Sequence, residues 1–167
     1  MTYKFLTVDV FTEQAFEGAQ IAIVPNSDDL SEELMQKIAG EFNLWRTVFI
    51  SNKSDEKNAF SIRTFNYKKE FDFGGYATIG AIHALAELQL INTSQSENVF
   101  TLNENHGEVS CQVNMENGKA VFHQVTAKTR VELDRFTPTI DELGDFLSIK
   151  PYHFNVNNYH PLLVASH

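Results

Sequence analysis

The chain has 167 residues, 43% of them hydrophobic and 21% charged, with a formal net charge of −9; this is ordinary globular composition, enough for a domain with a sizeable core. The acidic balance, with no basic run longer than Lys68-Lys69, argues against nucleic acid or an anionic membrane as a partner, since both need a basic face. No apolar run approaches the roughly 20 residues that span a bilayer, the first residues carry no signal sequence, and the single cysteine, Cys111, excludes an internal disulfide and fits a reducing cytoplasm.

Tyr3 to Phe11 and Ala19 to Val24 read as strands, the second closed by Pro25-Asn26. Ser31 caps a predicted helix whose first turn carries Glu32 and Glu33, and Leu34, Met35, Ile38, Ala39 and Phe42 then recur at helical spacing. Thr47 to Ser51 and Ala59 to Asn66 read as strands on either side of a solvated loop, Asn52 to Asn58. A helix from Tyr76 to Leu90 is apolar nearly all round, the mark of a helix buried within its domain. Its narrow polar line is Tyr76, Gly80, His83 and Glu87, with His83 and Glu87 spaced as a helix-surface pair. Strands are predicted near Val99 to Asn103, Glu108 to Asn114 and Lys119 to Val125, the last two joined by the hairpin signal Asn117-Gly118. Cys111 alternates with Val109 and Val113 and so faces a core. After a polar boundary, Ala127 to Pro138, Thr139 and Glu142 form a capping box before a short helix carrying Leu143, Phe146 and Leu147, and Tyr159 to Ala165 reads as a last strand.

The stretch Glu70-Phe71-Asp72-Phe73-Gly74-Gly75-Tyr76-Ala77-Thr78-Ile79-Gly80 is the most informative. A short strand empties into two glycines and an apolar helix begins at once. Two readings stay open. The first turn of a helix has unpaired N–H donors and the positive end of the dipole, which suit an anion; alternatively the glycines only let a strand pack closely on a helix. The six histidines show no zinc-ligand spacing and no phosphate-binding loop, dinucleotide fingerprint or nucleophile elbow occurs, so neither metal nor cofactor is expected.

Arg63-Thr64-Phe65-Asn66 followed by Glu70 to Ile82 resembles the central motif of the PhzF (phenazine-biosynthesis-like) isomerase family, R-x-F-x-P then E-L-P-F-A-G-H-P-T-[IL]-G-[AT]-A. Val8-Asp9-Val10-Phe11-Thr12 with Phe16-Glu17-Gly18 is similar to its opening V-D-A-F-T…P-x-x-G-N-P. Ile38-Ala39-Gly40-Glu41-Phe42-Asn43-Leu44 with Thr47-Val48-Phe49 is similar to I-A-x-E-x-N-L-S-E-[ST]-x-F. The resemblance implies an α+β fold of the diaminopimelate-epimerase type: two similar halves, each a mixed sheet wrapped around a central buried helix, with the active site between them. Residues 1–127 match the first half. Residues 128–167 read as a short, incomplete start on the second or as a dimerisation tail, because the second half's E-D-P-A-T-G motif has no counterpart here.

The chain departs from the family at polar positions. Arg46 stands where the family places its acid/base glutamate, Trp45 replaces the preceding serine, G-H-P becomes Gly75-Tyr76-Ala77 and G-N-P becomes Gly18-Ala19-Gln20. A guanidinium with a pKa above about 12 cannot exchange a proton near neutral pH. No catalytic residue is therefore assigned. Trp45, Arg46, Gly74, Gly75, Tyr76 and Thr78 are the candidate binding residues for a small anion or carboxylate. The expectation is a PhzF-like protein that has lost the proton shift and acts as a binding or scaffolding module, a homodimer or the partner of a complementary second-half chain. The alternative is an active isomerase completed by such a chain.

Overall fold

The computed structural model describes residues 2–52, 59–127, 139–148 and 150. The chain divides into two compact units, Met1–Lys128 and Thr129–His167.

The first unit is one mixed sheet of eight strands with two helices. The strands are β1 (Leu6–Val10), β2 (Ala19–Val24), β3 (Thr47–Ser51), β4 (Ala59–Phe65), β5 (Glu70–Phe71), β6 (Glu97–Glu104), β7 (Gly107–Glu116) and β8 (Lys119–Ala127); the helices are α1 (Glu32–Phe42) and α2 (Tyr76–Glu87). The strand order is β1-β2-β3-β4-β6-β7-β8, with the short β5 paired to β4. Among the described strands only β2–β3 and β4–β6 are parallel, and each of these pairs is joined through a helix, as parallel neighbours require.

Alternation along the strands sorts the side chains onto two faces. Ile21 and Ile23 of β2, Val48 and Ile50 of β3, Phe60 and Ile62 of β4, Phe100 and Leu102 of β6 and Val109, Cys111 and Val113 of β7 form one cluster around α2. Val24, Phe49 and Phe65 point the other way and pack with Met35 and Ala39 of α1. Helix α2 buries residues on every side, among them Ala77, Ala81, Ile82, Ala84 and Leu85. Each fully buried Ile or Leu in that contact contributes about 1.5–3 kcal/mol. Gly80 lets the helix lie close to the sheet: a Cβ there would stand 2.3 Å from Ile21 Cδ1 and 3.1 Å from Val10 Cγ2. The expected mixed sheet wrapped around a buried helix is present.

Several boundaries differ from the sequence reading. β1 runs from Leu6 to Val10 rather than Tyr3 to Phe11, and Phe11 turns to φ +64°. α2 stops at Glu87, and Gln89 takes a left-handed conformation before Leu90. β6, β7 and β8 are all longer than predicted, and a second tight turn, Asn105-His106, joins β6 to β7. Asn117 and Gly118, at φ 51° and 77°, make the expected hairpin turn. Gly80 is buried, so the predicted polar line of α2 is interrupted. The loop at 53–58, the boundary at 128–138, the strand Tyr159 to Ala165 and His153, His160 and His167 lie outside the described residues.

In the second unit, α3 (Ile140–Leu147) starts with the capping box: the Glu142 N–H donates to Thr139 Oγ1 and the Thr139 N–H to Glu142 Oε2. Phe146 and Leu147 on this helix are 86% and 50% exposed. No described helix is long and apolar enough to cross a membrane.

Candidate functional site

The site is built around the start of α2. Gly74 is buried, and a Cβ there would stand 2.6 Å from Thr78 Oγ1 and 3.0 Å from Thr64 Oγ1, so only glycine fits. Gly75 precedes the helix at φ 59°, ψ −120°, a conformation that disfavours any side chain. The N–H groups of Ala77 and Thr78 close the first turn on the carbonyls of Gly74 and Gly75.

The chain places one of its own carboxyl groups at this helix start. Glu104 follows Phe100 and Leu102 at two-residue spacing on the inward face of β6. Its Oε2 accepts the Gly74 N–H at 3.0 Å, and its Oε1 accepts the Thr78 hydroxyl at 2.6 Å. Burial raises the proton affinity of this carboxyl above the usual range; the bonds from Thr78 and Gly74, and the neighbouring His106, offset the rise only partly. The Gly75 and Tyr76 N–H groups have no acceptor among the described residues.

On the other side of the turn lies Arg46, which leads into β3 with Val48 on the same face. Its guanidinium sits 3.8 Å above the Phe71 ring and 5.7 Å from the Tyr76 ring centroid. Nη1 donates to the Trp45 carbonyl at 2.7 Å, while Nε is buried without an acceptor. No carboxylate pairs with it among the described residues. Arg63 makes the contrast: its Nε and Nη2 grip Glu70 at 2.6 and 2.5 Å, and Nη2 also reaches Glu32 at 2.9 Å.

Of the six candidate binding residues, Arg46, Gly75 and Tyr76 therefore share a corner with donors to spare. Gly74 and Thr78 are turned to Glu104. Trp45 contributes its carbonyl, while its ring, 68% exposed, packs edge-on against Tyr67 at 6.2 Å. Glu104 was missed by motif reading, although the alternation Phe100, Leu102, Glu104 carries its inward direction. Cys111 faces the core as expected, and burial, with Glu104 nearby, pushes its thiol up to about 12, far from a reactive thiolate.

His83 corrects a second expectation. It meets His123, with Nδ1 and Nε2 3.3 Å apart and the rings edge-on, rather than forming a surface pair with Glu87. His123 lies on the inward face of β8 opposite Val113, and burial first, then His83, pushes its pKa down to about 4. The pair flanks a cleft of about 500 Å³ between β1, α2 and β8, lined also by Asp9, Phe11, Ile79 and Phe122; none of the six candidate residues lines it. No group of three or more potential metal ligands occurs among the described residues.

Comparison with known proteins gives this geometry a relationship. An uncharacterized isomerase of Mesorhizobium japonicum is 33% identical over 158 residues, 95% of this chain and 51% of its own length. A trans-2,3-dihydro-3-hydroxyanthranilate isomerase of Pseudomonas aeruginosa is 31% identical over 83 residues, 50% of this chain and 30% of that protein. The crystal structure of the Bacillus anthracis phenazine biosynthesis protein of the PhzF family superposes with a TM-score of 0.74 and 26% identity, covering 92% of this chain and 50% of that one. The chain thus spans about half the length of the relatives it matches end to end. The curled sheet around α2 is the fold of the PhzF and proline/diaminopimelate epimerase group. With the profile of the phenazine biosynthesis-like proteins (PhzC-PhzF) matching residues 8–142, the chain belongs to the PhzF-like isomerase family.

Proposed function

We propose that this protein holds a small carboxylate at the corner formed by Arg46, Tyr76 and the Gly75 turn, and that it does not run the family's proton shift. One observation carries the reading: in a chain of net charge −9, the Arg46 guanidinium lies against two aromatic rings with a buried Nε and, among the described residues, no carboxylate partner. An unpaired, partly desolvated cation costs free energy that a bound anion recovers, and the planar fork suits a carboxylate. The Gly75 and Tyr76 N–H groups, which have no acceptor among the described residues, add donors on the positive end of α2. Arg46 cannot serve as a general base, because its proton does not leave near neutral pH. Benzoate, titrated into the full chain and followed by the amide resonances of Gly75 and Tyr76, is expected to bind in the millimolar range or tighter. Arg46→Ala is expected to weaken it about tenfold, the worth of a charge-assisted hydrogen bond. Unchanged affinity in Arg46→Ala removes this residue from the site.

A second reading is an active isomerase completed by another polypeptide. The uncharacterized Mesorhizobium japonicum isomerase that matches 95% of this chain has about twice its length, which supports it. Incubation with trans-2,3-dihydro-3-hydroxyanthranilate in deuterium oxide, with the chain alone and with the chain added to an extract of its source cells that lacks it, separates the two: the first reading expects no label that depends on the chain in either case, the second expects such label only with the extract. If Arg46→Glu alone restores exchange, a partner supplies the rest of the cleft.

The assembly we favour is a homodimer that covers the exposed Phe146 and Leu147 of α3, in a reducing cytoplasm that keeps Cys111 a free thiol. Light scattering at micromolar concentration is expected to give about 38 kDa, twice the 19.0 kDa of one chain; a monodisperse monomer rejects it.

A further inference from the structure

We propose that Glu104 is the specificity determinant of the Arg46–Tyr76 corner, excluding doubly charged oxyanions and leaving it open to singly charged planar acids. The inference rests on the binding reading above and deepens it. A helix start that takes a sulfate or phosphate offers several converging N–H groups and usually a hydroxyl. Here the inner half of that set is spent. The Gly74 N–H and the Thr78 hydroxyl both point to Glu104, at 3.0 and 2.6 Å, and the chain's own carboxylate occupies the place of one ligand oxyanion. An incoming acid can use only the outer donors, Gly75 N–H, Tyr76 N–H and the Arg46 fork. Two donors in a turn and a planar guanidinium match the two oxygens of a carboxylate better than the tetrahedral set of a sulfate.

Charge acts in the same direction. Gly75 is one residue, about 3.8 Å of Cα spacing, beyond Gly74, so an anion on the outer donors lies on the order of 6 Å from the Glu104 carboxylate. Repulsion at that range scales with the ligand's charge, so a dianion is penalised twice where a monoanion is penalised once. The charged or titratable groups nearest Glu104 do not reverse this. Glu104 feels the charge of His106, on the turn after β6, whereas Cys111, on β7, is a thiol that burial and Glu104 itself keep neutral. Glu70, on β5, is held by Arg63 and Asn105. Arg46 has no ion pair with Glu104 in the structure.

The test uses the full chain with sulfate and benzoate as probes, at pH 7.5 and constant ionic strength, read from the Gly75 and Tyr76 amide shifts. Wild-type protein is expected to bind benzoate at least tenfold more tightly than sulfate. Glu104→Gln keeps an acceptor for Gly74 and a partner for Thr78 while removing the charge. It is expected to tighten benzoate about threefold and sulfate about tenfold, roughly the square, because the removed repulsion counts once for one ligand and twice for the other. Equal tightening of both probes overturns the proposal. So does wild-type binding of sulfate as tight as that of benzoate, a result that needs no variant to fold. If neither probe binds, or Arg46→Ala changes neither, the binding reading itself fails; sulfate bound through Arg46 as strongly as benzoate overturns only the role given to Glu104.

Discussion

Helices α1 and α2 pack against opposite faces of the same sheet and solve the problem of their first turn by different means. α1 is capped from within its own sequence: Ser31, in an extended conformation, accepts the Leu34 N–H through its hydroxyl at 3.3 Å, and Glu32 and Glu33 follow in the first turn. α2 has no side-chain cap at Gly75 and no acidic residue in its first turn. Its anion arrives from the end of β6, 30 residues after Gly74. A local cap is an exposed, inexpensive device that serves only stability. A cap delivered across the fold from a half-buried strand position fixes the helix start against the sheet, and it places a carboxylate whose protonation matters beside donors that have no acceptor among the described residues.

The two starts therefore respond unequally to substitution. The largest effect is expected at Gly74. Gly74→Ala puts a Cβ 2.6 Å from Thr78 Oγ1 and 3.0 Å from Thr64 Oγ1 in a buried turn, and overpacking with displacement of the Thr78–Glu104 bond costs about 3 kcal/mol. Urea unfolding of the two proteins measures it; a midpoint within experimental error of wild type means the turn has room for a Cβ.

Glu104→Ala comes next. It leaves the Gly74 N–H and the Thr78 hydroxyl without an acceptor, at about 1–3 kcal/mol for each such group, offset by relief of burying a charge, so a net loss of about 2 kcal/mol is expected. Glu104→Gln, which can still accept and donate, is expected to lose less than about 1 kcal/mol. Equal losses in the two variants indicate that charge, rather than the hydrogen bonds, holds the turn.

The contrast also explains what could be read from residue order. Ser31 with its acidic first turn, the Thr139–Glu142 capping box and the Asn117-Gly118 turn are local, and their physics lies within four residues of chain; all three stand in the structure. The central helix was legible because Tyr76 to Glu87 is apolar or small on nearly every side, and the family motifs located its glycine start. Glu104 and the His83–His123 pair were not legible as contacts. Each needs the register of β6 or β8 against α2, which depends on sheet curvature rather than on any spacing in the chain. Period-two alternation gives the face such a residue points to, but not the residue it meets. Arg46 was singled out because it replaces a family glutamate; its stacking on Phe71 and Tyr76 rests on the pairing of β4 with β5 and on the path of β3.

The histidine pair tests the same idea through pH. His123 is held down to about 4 from its ordinary 6.5, by burial and by His83. The folded state binds that proton less well than the unfolded chain does. The stability it contributes is therefore present above pH 6.5 and is lost as pH falls towards 4. Because His123 is only partly buried, the loss is discounted to on the order of 1–2 kcal/mol. Glu104 works in the opposite sense: its raised proton affinity favours the fold below the ordinary carboxylate range, and that contribution is lost as pH rises through its elevated pKa. Stability curves between pH 7 and 4 are expected to fall for wild type and to flatten in His123→Gln. An unchanged slope in that variant assigns the loss to other groups.

The smallest effect is expected at the local cap, and it completes the comparison. Ser31→Ala removes one acceptor from the exposed first turn of α1. The freed Leu34 N–H turns to water, and Glu32 and Glu33 still favour the positive end of the helix. The loss is about 1 kcal/mol, and Ser31→Gly, which keeps the extended conformation accessible, loses only a few tenths. Hydrogen exchange gives the sharper readout. In Ser31→Ala the added exchange is expected to stay within the first turn of α1, whereas Glu104→Ala is expected to raise exchange in α2 and also in β6 and β7, because its cap ties helix and sheet into one opening unit. Exchange spreading from Ser31→Ala into β3 and β4 means that α1 shares that unit, and the distinction between a local and a fold-wide cap fails.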